Sequence, residues 1–192
     1  MGQRHGKAFY DEAARPFVNL SAAAVGTLWE TFNDVAEGFG INVHELREIC
    51  SELGEEMQMN RAQLDKLSTG LFNLFDTDEN GLIDGIEFVC TIACASGMGV
   101  TETLEFVLGC YDFDSTGRLT IDELTLAFKS TVTGLCKLEA QGQALCPRDS
   151  EFEAAALDAF ERKSEGDRFK TRVGCHIIQL SVEVLGTVDP KD

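Results

Sequence analysis

No apolar run in this 192-residue chain reaches the roughly 18 residues that a membrane-spanning helix needs, and no secretory h-region is visible. Positive charge is scarce. Sixteen Lys and Arg stand against 33 Asp and Glu, a formal net charge of −17. Such a surface repels nucleic acid and anionic lipid, while it draws cations and basic partner segments. Part of the excess reads as a solvated, solubilising face and part as a surface suited to a basic target. Histidine is limited to His5, His44 and His176. His176 adjoins Cys175, but neighbours on one element point in different directions and make no dyad. A phosphate-cradling glycine loop and a nucleophile elbow are both missing, so no enzyme is expected.

Cysteine is present without a framework. Seven cysteines, an odd number, follow no regular spacing, which points to a reduced, intracellular protein with mostly buried thiols. Cys90 and Cys94 lie four apart on an expected helix. They read as core packing in an Ile-Ala-rich stretch, with a metal or redox pair as the alternative. At this length the chain forms one or two small domains with a real core.

What is there is a twelve-residue pattern that occurs twice, offset by 36 residues. Asp76-Thr77-Asp78-Glu79-Asn80-Gly81-Leu82-Ile83-Asp84-Gly85-Ile86-Glu87 returns as Asp112-Phe113-Asp114-Ser115-Thr116-Gly117-Arg118-Leu119-Thr120-Ile121-Asp122-Glu123. Both copies place side-chain oxygens at the first, third, fifth and ninth positions, glycine at the sixth and glutamate at the twelfth. That order lets a loop wrap Ca²⁺ in oxygens and close the shell with a bidentate carboxylate. The expected ligands are Asp76, Asp78, Asn80, the Leu82 carbonyl, Asp84 and Glu87 in the first loop. In the second they are Asp112, Asp114, Thr116, the Arg118 carbonyl, Thr120 and Glu123. Two Ca²⁺ ions are therefore expected. The first loop offers four carboxylates and the second three, so the first is expected to bind more tightly.

The repeat extends into the flanks. Phe72 and Phe75 correspond to Leu108 and Tyr111, and Phe88 and Ile92 to Leu124 and Phe128, at helical spacing. The pattern resembles the EF-hand family of helix–loop–helix calcium-binding proteins. That resemblance implies an all-α fold of two lobes, each a pair of hands with a short β pairing between loops, Ile83 being one pairing residue.

Hands pair because each exposes an apolar face that another must cover. Upstream, a helix capped by Ser21 and carrying Val25, Leu28, Trp29 and Phe32 runs into Asn33 to Glu45. This stretch has one residue too many, and Val35 occupies a ligand place, so it reads as a hand without its metal. Downstream, Ser150 and Glu153 form an expected capping box ahead of a helix through Phe160. Lys163 then sits where an acid is needed and no glutamate closes the loop; a plain helical hairpin is the alternative to a fourth hand.

Two competent hands between two disabled ones resemble the recoverin-like neuronal calcium sensor group, and the spacing also suits calcineurin B-like subunits. The Cys-Pro pair usual in the first loop of the former group is absent here; Cys146-Pro147 lies elsewhere. The expected layout is an arm over 1–20, a first lobe over 21–97 and a second over 98–192, with a loose tail from Leu185. The resemblance implies a cytoplasmic sensor, or one associated with membrane or cytoskeleton, that binds an amphipathic helix of a protein target. Its groove would be lined by Trp29, Phe32, Phe72, Phe75, Phe88, Ile92, Phe106 or Val107, and Phe128. A constitutive light-chain-like or docking subunit and a calcium buffer are the alternatives. Met1-Gly2 is the start that N-acylation uses, although Gly6 replaces the usual hydroxyl. An acylated Gly2 would add only weak membrane contact.

Overall fold

The first helix, α1 (Ala22–Val35), begins where Ser21 turns its hydroxyl to accept the Ala24 N–H at 3.2 Å. Such a cap satisfies one of the four N–H groups that a helix start leaves unpaired. Helical spacing then puts Val25, Leu28 and Phe32 on one buried face. In this computed structural model the described residues are 13–36, 38, 40–55, 57–138 and 146–161. They divide between two units, one spanning residues 12–99 and the other residues 100–192.

In the first unit α1 leads to strand β1 (Gly40–Ile41) and helix α2 (Val43–Glu52). Asn42 and Glu45 close a capping box at the start of α2, and Asn60 and Gln63 close another at the start of α3 (Arg61–Phe75). Strand β2 (Ile83–Asp84) and helix α4 (Gly85–Ala95) complete the unit. The two strands pair antiparallel, with Ile41 opposite Ile83 and Gly40 opposite Asp84. Ile83 is thus held in the expected short pairing, and the whole is two helix–loop–helix hands joined through their loops.

The core of this unit is aromatic at its centre. Phe88 meets Phe75 edge-on at 5.4 Å and Phe17 at 6.3 Å between ring centroids. Leu46, Ile49, Leu71 and Ile92 are fully buried around them. Phe17 comes from a stretch expected to be an arm. Residues 15–19 instead form a 3-10 turn opened by Pro16, and the Leu20 carbonyl accepts the Gly97 N–H at 3.2 Å. Residues 13–20 therefore close the first unit. One large side chain, Phe17, carries them into the core, and burying it stabilises by about 1.5–3 kcal/mol.

The second unit contains α5 (Val100–Cys110), α6 (Ile121–Leu138) and α7 (Asp149–Glu161). Leu104, Leu124, Phe128, Val132, Cys136, Phe152 and Ala156 form its core. Helix α7 starts two residues earlier than the Ser150–Glu153 box implied. Glu151 accepts the Arg148 N–H at 2.8 Å, which puts the cap directly after Pro147. That bond, and then the Arg148 side chain, hold the Glu151 carboxyl below the usual carboxylate range. The expected fourth loop, the second inter-loop pairing, the tail and the Gly2 start all lie outside the described residues. No helix among the described residues is long and apolar enough to cross a membrane.

Six described cysteines are thiols, not disulfides. Burial pushes the Cys50 thiol up to about 12, against a smaller lowering by the Ser68 hydroxyl, and it pushes Cys94 up to about 12. Among the described residues no three His, Cys, Asp or Glu side chains converge on one metal-sized point. Cys90 is fully buried in α4, in keeping with a packing role.

Candidate metal-binding loops

Each loop is wound by its own acidic side chains. In the first, Asp76 ends α3, its N–H bonded to the Phe72 carbonyl at 2.8 Å. Its two carboxylate oxygens accept the N–H groups of Asn80 and Gly81, both at 3.1 Å. Asp78 accepts from the Asn80 side-chain amide at 2.9 Å, and the Asn80 carbonyl oxygen accepts the Leu82 N–H at 2.8 Å. Asp84 caps α4 by accepting the Glu87 N–H at 2.9 Å. These are Asx turns, in which a short polar side chain stands in for a backbone acceptor.

The second loop repeats the pattern. Asp112 accepts the N–H groups of Thr116 at 3.1 Å and Gly117 at 2.8 Å, and Asp114 accepts that of Thr116 at 3.1 Å. Backbone winding agrees as well. The fourth and sixth positions are left-handed in both: Glu79 at φ 56° and Gly81 at 82°, Ser115 at 54° and Gly117 at 71°. Glycine takes the sixth place at no steric cost. Burial follows the same order, with the first and twelfth residues half-buried and the third, fifth and ninth exposed. Thr116 places its hydroxyl 3.2 Å from the Arg118 carbonyl, so the fifth- and seventh-position oxygens already adjoin. The same hydroxyl, and then the Thr116 N–H, hold the Asp114 carboxyl below the usual carboxylate range. A proton given to one of these two acceptors is withheld from the other.

The closing glutamate of the second loop is held at its own helix start. Glu123 lies back on Thr120, accepting its N–H at 2.8 Å and its hydroxyl at 2.9 Å. It serves as the third residue of a capping box on α6. Glu45 does the same for Asn42 at 2.7 Å in the first hand. Asn33 donates its side-chain amide N–H to the Trp29 carbonyl at 2.9 Å, one turn back on its own helix. Chemically the two full loops are sets of hard oxygen donors with no thiol or imidazole. That composition fits Ca²⁺ and not Zn²⁺.

Sequence reasoning missed one residue of this region. Gly85 lies between Asp84 and Glu87, and a Cβ placed on it would overlap the Phe32 ring from α1. The first hand thereby touches the backbone of the second loop directly. The corresponding residue of the other loop is Ile121, so comparing the two copies flags the position, but only the packing supplies the reason.

No family model matches the chain. Calcium-binding protein NCSA of Dictyostelium discoideum is 29% identical over 103 residues, 54% of this chain and 52% of that protein. Calcium-binding protein J of the same organism is 41% identical over 54 residues, 28% of each chain. The matched region thus spans about half the length of the first relative and less of the second. Paired helix–loop–helix units and two such loops set the fold, and the relatives share the calcium-binding description. The chain has an EF-hand fold. Its first hand contributes strand β1 and the capped helix α2, and Val35 offers no side-chain oxygen.

Proposed function

We propose that this EF-hand protein is a calcium-responsive regulator that binds two Ca²⁺ ions and then offers an apolar groove to an amphipathic helix of a partner protein. The observation that carries the reading is the shared frame of the two loops, with equivalent carboxylates, equivalent left-handed residues and equivalent half-buried ends. The relatives named above are both called calcium-binding proteins, which supports the ion. Asp76, Asp78, Asn80, Leu82, Asp84 and Glu87 would hold one ion, and Asp112, Asp114, Thr116, Arg118, Thr120 and Glu123 the other. Bound Ca²⁺ supplies a compact double charge that takes about 6–8 oxygens.

The chain's own part is a change of partner at the twelfth position. Glu123 must give up the Thr120 N–H and hydroxyl to face the loop, and α6 starts on those bonds. Leu124 and Phe128 follow Glu123 on α6, as Phe88 and Ile92 follow Glu87 on α4, so turning either helix start moves core side chains. Of the expected groove residues, Phe32, Phe72, Phe75, Phe88, Ile92, Val107 and Phe128 are buried, and Trp29 is half-buried and stacked on Phe32 at 5.5 Å. Burial of these side chains within each unit supports a closed state for such a regulator.

The test is 1-anilinonaphthalene-8-sulfonate fluorescence of the full chain, with melittin as a model amphipathic helix. The proposal expects a fluorescence rise with Ca²⁺ and melittin binding only in its presence. Ca²⁺ binding with no rise in dye fluorescence and no melittin binding would leave a buffer or a constitutive subunit instead.

A further inference from the structure

Acidity dominates the first unit, yet its few cations share one place. Residues 12–99 contain four Lys and Arg against fifteen Asp and Glu. Three of those four, Arg47, Arg61 and Lys66, line a single cleft of about 1160 Å³ between α2 and α3, together with His44. Only two of the fifteen acids, Glu48 and Asp65, line it too. The rest of the unit is thus the source of its negative charge, and the cleft is a local reversal. Sequence position explains part of this. Residues 44, 47, 48 and 51 share one face of α2, and 61, 65 and 69 share one face of α3.

Arg47 shows what the cleft lacks. Its Nη2 donates to the Thr69 hydroxyl at 3.4 Å, while its Nε lies 3.8 Å from the Asp65 carboxylate. That distance is an ion pair without a hydrogen bond. The Nε is buried and has no hydrogen-bond partner among the described residues, which is costly for a charged donor. Arg61 and Lys66 are exposed on the other wall. Planar guanidinium groups suit carboxylates, which they engage through two donors at once. The volume exceeds the roughly 300–1000 Å³ typical of a small-molecule pocket, so a chain segment fits it better than a lone anion.

We propose that the cleft between α2 and α3 is a docking site for an acidic segment of a protein partner, whose carboxylates pair with Arg47, Arg61 and Lys66. This site is separate from the calcium loops and does not depend on the regulator reading. The net charge of −17 repels such a segment from a distance, so recognition rests on contacts made inside the cleft.

Fluorescein-labelled hexaglutamate, followed by anisotropy against the full chain in chelator, tests the proposal. Saturable binding is expected. The exposed double substitution Arg61→Ala with Lys66→Ala is expected to weaken it by about tenfold or more. The exchange Arg61→Lys with Lys66→Arg should keep most of the affinity, and circular dichroism should show both variants folded. Absence of saturable binding, or equal binding by wild type and the alanine variant, would overturn the proposal. So would binding of a phosphoserine peptide or a phosphatidylserine vesicle through these residues with none of hexaglutamate.

Discussion

The two metal-type loops are wound alike and finished differently. Loop 76–87 closes on an aspartate cap, Asp84, with glycine following it and the Phe32 ring packed on that glycine. Loop 112–123 closes on Thr120, whose N–H and hydroxyl are both held by Glu123, with Ile121 in the glycine's place. The winding is local, set by carboxylates that accept from N–H groups within five residues. The finish depends on the neighbouring hand. One loop is therefore braced from outside by another element, and the other is braced by its own twelfth residue. Among the described residues, the same motif is thus finished in one copy by a neighbouring hand and in the other by its own twelfth residue.

The largest effect should come from removing a closing glutamate. Glu87→Gln or Glu123→Gln deletes one anionic oxygen from a hard-oxygen shell, and calorimetry should then count one Ca²⁺ instead of two. If both single variants still bind two ions at unchanged affinity, the glutamates do not close these loops.

Next in size is Gly85→Ala. Its methyl must displace the Phe32 ring in a packed interior, and urea unfolding should show a loss of about 1–3 kcal/mol. Ile121→Gly in the other loop adds no clash and acts through the helix start alone. Equal stability of Gly85→Ala and wild type would remove the external brace from the account.

Cys50 offers a comparison along pH. Its folded thiol is pushed up from 9.0 to about 12 by burial, so the folded chain keeps a proton that the unfolded chain releases. Stability is whole below pH 9 and is lost between pH 9 and 12, at about 1.4 kcal/mol per pH unit for this thiol. Cys50→Ala should flatten the alkaline fall by that slope in urea titrations. An identical slope in the variant would assign the fall to other groups.

The smallest effect is expected from Thr120→Asp. It gives the second loop the carboxylate count of the first and should tighten its Ca²⁺ affinity by a few-fold. Weaker binding would show that the Thr120–Glu123 bonds shape the loop more than its charge does.

How much of this was legible in the sequence follows the same division. Loop winding was legible because an Asx turn needs an acid, a fixed spacing and a residue free to be left-handed, all visible in Asp76 to Gly81. Helix faces were legible from spacing, as Val25, Leu28 and Phe32 show, and so was the pairing of Ile83. The 3-10 turn at Pro16 was hidden, because Phe17 takes its meaning from Phe88, 71 residues further on. Gly85 was hidden for the same reason, its demand being set by Phe32. The start of α7 was misplaced since two acids, Glu151 and Glu153, both offer a capping partner, and the chain uses Glu151 on the Arg148 N–H. The basic cleft was invisible because residues on α2 and α3 meet only when those helices pack.

The central claim is that two loops, and no more, take Ca²⁺. A calorimetric Ca²⁺ titration of the full chain tests it most directly. The account predicts two bound ions per chain, falling to one with Glu87→Gln. Three or four ions, or none, would contradict it.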